Sequence, residues 1–352
     1  MGSITGIFTR ENSLHPAARE VMLEAIDRGW ADPQKIHHPS RQLSQLLDSS
    51  RESLAHSLGA RPESLHFLGE PHLGFFLGIA GLQLPRERSF YPSTARLEAI
   101  AVAQAMEDPR RIDVDLDGLW SIPDHSERDL LILPTANLET GNISPESTHF
   151  QGRIFVDATA GPCEKMPTSW GAALWEASSW RGPAGLGIFA VQDEVSWRNP
   201  LPHLDGRKTP ASFSPSLAIA AAVALEGSMK DIERSRTETL RLNSLLRRFI
   251  DEEIGDVDIA SSQSALPQML SFSFLYVDAE QLVDRMSRSG FLIDSGSACT
   301  SANLEPSHVL AAMGRLTHGN VRVHLYPELT EDELLKMLQT LKQHVLDLRS
   351  TL

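Results

Sequence analysis

The sequence predicts an α/β protein in which a large unit built on a mostly parallel sheet is followed by a smaller α+β C-terminal part. Short apolar runs at Leu65-Phe67, Leu130-Leu133, Ile154-Val156 and Gly187-Val191 are separated by stretches long enough for crossover helices, as parallel pairing requires. Apolar strands of this kind fit a sheet covered by helices on both faces. With 352 residues, 41% hydrophobic and 22% charged, the chain can bury the core of one large domain and a smaller one.

Each element follows from local pattern. His15 to Gly29 has helical periodicity with Val21, Met22 and Ile26 on one side, and Pro39 to Gly59 continues it with leucines at 43, 46, 47 and 54. The four apolar runs supply the sheet. Pro202 to Pro215 is rich in breakers and reads as a hinge, and Leu217 to about Ile250 reads as one long helical stretch. Beyond it, Met269-Val277 predicts a strand, Ala279-Ser289 a helix, Val321-Leu325 a strand and Glu331-Leu348 an amphipathic helix. The expected division is a large domain over 15–215, with 1–14 and 216–352 forming the small one. No internal repeat or low-complexity segment occurs.

Composition narrows the function classes. A formal net charge of −14 and a pI near 5.4 oppose direct binding to a nucleic-acid backbone. No run of about 18 apolar residues is present to span a membrane, and the N-terminus lacks the charged-then-apolar order of a signal peptide, so a cytoplasmic location is expected. The two cysteines, Cys163 and Cys299, form no CxxC pair and no zinc-type spacing. Adjacent His37 and His38 lack convergent partners, so no metal is assigned.

The chemistry-bearing string is Ser295 to Gly314, SGSACTSANLEPSHVLAAMG. A thiol on a small, polar loop before a helix start can be exposed and partly ionised, which suits nucleophilic attack. This string closely resembles the persulfide-forming loop of the cysteine desulfurases, pyridoxal phosphate (PLP) enzymes of the class V aminotransferase fold, within fold-type I. The resemblance makes Cys299 the persulfide carrier. Asn137, in Asn137-Leu138-Glu139-Thr140-Gly141, takes the place of the asparagine that approaches the cofactor ring. Asp157, in Val156-Asp157-Ala158-Thr159, takes that of the aspartate pairing with the pyridine nitrogen. Arg322 matches the arginine that grips a substrate carboxylate, and His37, in Asp32-Pro33-Gln34-Lys35-Ile36-His37, falls in the substrate-side segment. Each residue also has an ordinary structural use, as a turn cap or a solvated charge; their shared order along the chain carries the resemblance.

The departures fall on the cofactor. The Schiff-base lysine is expected just before a GPxGxG turn, where this chain reads Ser178-Ser179-Trp180-Arg181-Gly182-Pro183-Ala184-Gly185-Leu186-Gly187. Ser179 and Arg181 therefore stand where that lysine is missing. The turn whose hydroxyls and helix amides should hold the phosphate reads Leu68-Gly69-Glu70-Pro71-His72-Leu73, with a carboxylate and a proline that has no amide donor. The ring-stacking histidine falls near Pro92-Ser93-Thr94-Ala95, and the glutamine after the aspartate aligns with Ala160. Of the six lysines, 35, 165, 208, 230, 336 and 342, Lys208 is the best replacement amine.

Two function classes follow. The first is a desulfurase-like pseudoenzyme without covalent PLP, acting through Cys299 as a sulfur relay or as partner subunit of an active desulfurase. The second is an active PLP-dependent desulfurase that uses Lys208 or non-covalent PLP. A plain interaction protein with Cys299 as a relic is a third option. The resemblance implies a homodimer, or a heterodimer with an active desulfurase, and a sulfur-acceptor protein as a further partner.

Overall fold

The computed structural model describes residues 6–350 apart from 12, 13, 30, 31, 34, 162–165, 193–195, 203–205, 211, 231 and 297–305. A seven-stranded sheet is formed by β2 (Leu65–Leu68), β3 (Arg88–Pro92), β4 (Asp108–Ile112), β5 (Leu130–Pro134), β6 (Arg153–Asp157), β7 (Ala172–Glu176) and β8 (Gly187–Val191). Their order is β2-β8-β7-β6-β5-β3-β4, and only β8 runs against its neighbours. β5 and β8 are buried at every position, as strands covered on both faces must be.

One face packs against α1 (Pro16–Asp27), α2 (His38–Leu58) and α5 (Pro215–Lys230) through Ala18, Leu54, Ala55 and Ala218 to Leu225. The other face packs against α3 (Leu73–Leu82) and α4 (Leu97–Gln104) through Phe75, Leu77, Ile79 and Ala99. Local chemistry sets the helix ends. Pro39 sits in the first turn of α2, and Gly59 closes that helix in the left-handed region at φ 67°.

The second sheet, in the order β1-β11-β12-β10-β9, contains β1 (Gly6–Phe8), β9 (Val257–Ile259), β10 (Met269–Phe274), β11 (Phe291–Ser295) and β12 (Asn320–His324). β1 pairs parallel to β11, so the N-terminal strand joins the sheet made by the end of the chain. Its core is shared with α6 (Ile232–Phe249), α7 (Ala279–Arg288) and α9 (Glu331–Arg349). Asp278 caps α7, and Thr330 with Glu333 forms a reciprocal capping box on α9. The short α8 (His308–Ala312) follows the cysteine-bearing segment.

One expectation is corrected. The described residues of the stretch read as helical over 217–250 lie in α5 and α6, on either side of residue 231, and the alanine-rich α5 packs differently from α6. α5 belongs to the core of the large sheet, although the sequence division placed it in the small unit from residue 216. Small alanine side chains let it lie close against α1 and α2, whereas the leucines of α6 face the small sheet.

Candidate active site

Asp157 ends β6 at the carboxyl edge of the large sheet, paired in register with Pro134 of β5. Binding groups collect at such strand ends in α/β folds. The Asp157 carboxylate is buried and accepts bonds from Thr159 N at 3.0 Å and Thr159 Oγ1 at 2.6 Å. Burial pushes its pKa up, aided by the charge of Glu176; Arg96 and the Thr159 bonds oppose the shift.

Over this carboxylate lies an ion-pair cluster. Arg96, from the turn before α4, donates to Glu176 Oε1 at 2.5 Å, to Thr159 Oγ1 at 3.1 Å and to both oxygens of Glu98. Its guanidinium stacks on Phe75, 5.1 Å from the ring centre, and meets His72 Nε2 at 3.1 Å. Burial works against its charge, but Glu176, Asp157 and Glu98 hold its pKa above the ordinary value. Arg10, just beyond β1, enters from the other sheet and donates to Thr159 O at 3.2 Å and to Glu176 Oε2 at 3.5 Å. Burial lowers the Arg10 pKa despite Glu176. Glu176 thus sits between two arginines at the end of β7.

The groups that the resemblance assigns to a phosphorylated ring cofactor are bonded within the chain. At the start of α3, His72 N donates to Glu70 Oε1, while the amides of Leu73, Gly74 and Phe75 donate to the carbonyls of Glu70, Pro71 and His72. A helix start binds an outside anion through free amides of this kind. A side-chain carbon added at Gly69 would lie 2.2 Å from Ser212 O, so backbone from the segment before α5 closes over the same turn. Asn137 is also used up. Its Nδ2 donates to Thr94 O at 2.8 Å, and its Oδ1 accepts from Glu139 N, Thr140 N and Thr140 Oγ1. Ser179 donates to Glu176 O at 2.7 Å and offers a hydroxyl where an amine is expected. Ser93 Oγ, at the end of β3, is buried without a partner, a single hydroxyl set against those filled donors.

The remaining sequence-predicted residues lie around this centre. Arg181, left-handed at φ 62°, pairs with Glu328 through Nη1. Arg322 is buried on β12 and donates to Ser295 O at 2.9 Å, at the end of β11 that leads toward Cys299. On the far side of the cysteine segment, Ser307 Oγ donates to Glu139 Oε2 at 2.6 Å and His308 Nε2 meets Ala95 O at 2.9 Å. Both flanks of the cysteine segment are therefore tied down, while Cys299 itself lies outside the described residues. His37 is exposed at the cap of α2, where its carbonyl accepts from Arg41 N, and it takes no part in the bonds just described. Among the lysines, Lys35 is exposed, Lys208 is half-buried before α5, Lys230 and Lys342 pair with Glu226 and Glu253, and Lys165 lies outside the described residues. Arg10, Arg96 and Glu176 were not singled out by sequence reasoning. Their signal was available, because Arg96 follows the turn where the stacking histidine is missing and Glu176 precedes Ser179 by three residues.

Among the described residues, no group of three or more His, Cys, Asp or Glu side chains is placed to hold a metal, and no helix is long and apolar enough to cross a membrane.

No model of a protein family matches the chain. It is similar to the cysteine desulfurase IscS of Dictyoglomus turgidum, 24% identical over 361 residues covering 94% of this chain and 91% of that protein. It is likewise similar to a cysteine desulfurase of Gluconacetobacter diazotrophicus, 26% identical over 366 residues, with 95% and 91% covered. Among solved structures, a NifS-like protein from Rickettsia africae superposes with a TM-score of 0.84 at 15% identity, over 97% of this chain and 99% of that one. The apo cysteine desulfurase of Thermococcus onnurineus gives 0.79 at 16% identity, over 97% and 95%. That family implies a PLP cofactor. Similarity along nearly the whole length, in sequence and in fold, makes this chain a distant relative of the cysteine desulfurases with their class V aminotransferase architecture.

Proposed function

We propose that the protein is a desulfurase-fold pseudoenzyme that carries sulfur on Cys299 and does not run PLP chemistry itself. The observation that carries this reading is the Arg10–Glu176–Arg96 cluster, which sets the chain's own charges over Asp157. The self-capped start of α3 and Ser179 in the β7–β8 turn support it. PLP does not fit this arrangement: its phosphate would meet Glu70 and a helix start whose amides are already bonded, and no amine stands at the turn to hold its aldehyde.

Sulfur would arrive by exchange. The Cys299 thiolate attacks the outer sulfur of a donor persulfide, the donor's S–S bond breaks and the donor leaves as a thiolate, so no external oxidant is needed. An acceptor thiolate then removes the sulfur by the same step. In this reading Arg322 and Ser307 position the two flanks of the carrier loop, and His37 has no substrate to meet. The protein acts in the cytoplasm as a homodimer or beside an active desulfurase, which is the source of the persulfide.

The test is incubation of the full-length protein with an active cysteine desulfurase and L-cysteine, followed by mass spectrometry of the Cys299 peptide. The expected result is an added sulfur on that peptide, absent in Cys299→Ser, with no sulfide release by the protein alone. Sulfide release from L-cysteine by the purified protein with added PLP would favour the active-enzyme reading, with Lys208→Ala the next variant to make.

A further inference from the structure

The crossover from β5 to β6, residues 135–152, contains no helix, although the strands are parallel neighbours and such crossovers usually carry one. Two aromatic side chains from irregular segments cover the sheet there instead. Trp120 and Phe150 are buried in one core with Phe90, Ile112, Leu131 and Ile154. Beside Trp120 an open recess of about 740 Å³ remains.

Its lining combines apolar Trp120, Ile122 and Pro145 with Asp124, Glu146 and His149, and no lysine or arginine is among the described lining residues. Leu119, directly before Trp120, and Ile143, two residues before Pro145, are exposed. Five carboxylates and no lysine or arginine fall between positions 113 and 127. Asp113 and Asp117 pair with Arg111 and Arg315, and the field of Asp124 reaches Arg88. His125 is part of the wall: Gln151 N donates to its Nε2, its Nδ1 meets Pro123 O, and its ring stacks on Phe150.

We propose that this recess receives an amphipathic helix from a partner protein, with its apolar face on Ile122, Pro145 and the exposed Leu119 and Ile143 and its basic flank toward Asp124 and Glu146. The occupant is helical because the recess lies where the chain omits its own covering helix, and cationic because the lining is acidic. The inference is independent of how the cofactor site is read.

The experiment uses the full-length protein and a fluorescein-labelled synthetic helix of leucine and lysine, with a leucine–glutamate helix as counterpart, followed by fluorescence anisotropy. The leucine–lysine helix should bind and its counterpart should not. Asp124→Lys/Glu146→Lys, both at exposed positions, should weaken binding by on the order of tenfold or more. Glu252→Lys/Glu280→Lys changes the net charge equally at exposed positions on other elements and should leave binding as it was. Circular dichroism establishes that each variant is folded. Equal weakening by both pairs would reduce the effect to overall acidity and overturn the proposal. So would equal binding of the two helices, insensitivity to Asp124→Lys/Glu146→Lys, or self-association through this face without helix binding.

Discussion

Arg96 and Glu176 form a hydrogen-bonded ion pair, 2.5 Å between Nη1 and Oε1, with both side chains largely buried at the carboxyl edge of the sheet. The pair joins the turn before α4 to the end of β7, and through Glu176 it also engages Arg10 from the N-terminal segment. Three remote parts of the chain therefore meet through side chains beside the buried Asp157.

Removing one partner should expose how much depends on this. Arg96→Ala leaves Glu176 with only the longer Arg10 contact and takes positive charge from beside Asp157. A loss of about 3 kcal/mol is expected, read as a lower urea midpoint. Arg96→Ala/Glu176→Ala should recover part of that loss, because no unpaired carboxylate remains at position 176. A neutral Arg96→Ala would contradict the structural role given to the pair.

Gly69→Ala tests the closure of the turn before α3. The new methyl would meet Ser212 O at 2.2 Å, so backbone must move, and a cost of about 2 kcal/mol is expected. Urea unfolding measures it, and an unchanged midpoint would mean that residues 212–213 do not seal this turn.

Asn137→Ala should also destabilise, by about 2 kcal/mol, since it removes a donor to Thr94 O and an acceptor for two amides. Hydrogen exchange should report faster amide exchange at Glu139 and Thr140, and protection equal to that of the wild type would refute the clamp.

Acid should weaken the fold partly through His324. Burial lowers its pKa to about 3 from 6.5, with Arg322 and Arg10 adding to the shift. Between those values the unfolded chain binds a proton that the folded chain refuses, so stability falls as pH drops below 6.5, with a limiting slope of about 1.4 kcal/mol per pH unit. Asp157 and Asp294, raised by burial above 3.8, act in the opposite sense: the folded state takes their protons first, and stability gains from them as pH falls toward 3.8. His324→Gln should therefore flatten the decline between about pH 6 and pH 4 in urea unfolding at a series of pH values. An unchanged slope would remove His324 from the account.

The sequence announced much of the frame because continuous apolar segments such as Leu130-Leu133 and Gly187-Val191 are too short for a helix and fit buried strands. β4 escaped notice, since Asp108–Ile112 is mostly polar and half-exposed at the edge of the sheet. Asp157, Asn137, Ser179 and Arg322 were legible as candidates from motif order alone. What fills the centre was legible only as absences, because a side chain such as Arg10 reaches Glu176 from 166 positions away, and no local pattern records that reach.

The most direct measurement is a titration of the purified protein with PLP, followed by desalting and a visible spectrum, with a thermal melt on the same sample. A cradle filled by Glu70, Arg96 and Glu176 predicts protein free of visible absorption and a melting temperature that PLP does not move. Retention of one PLP per chain, with a higher melting temperature, would contradict it.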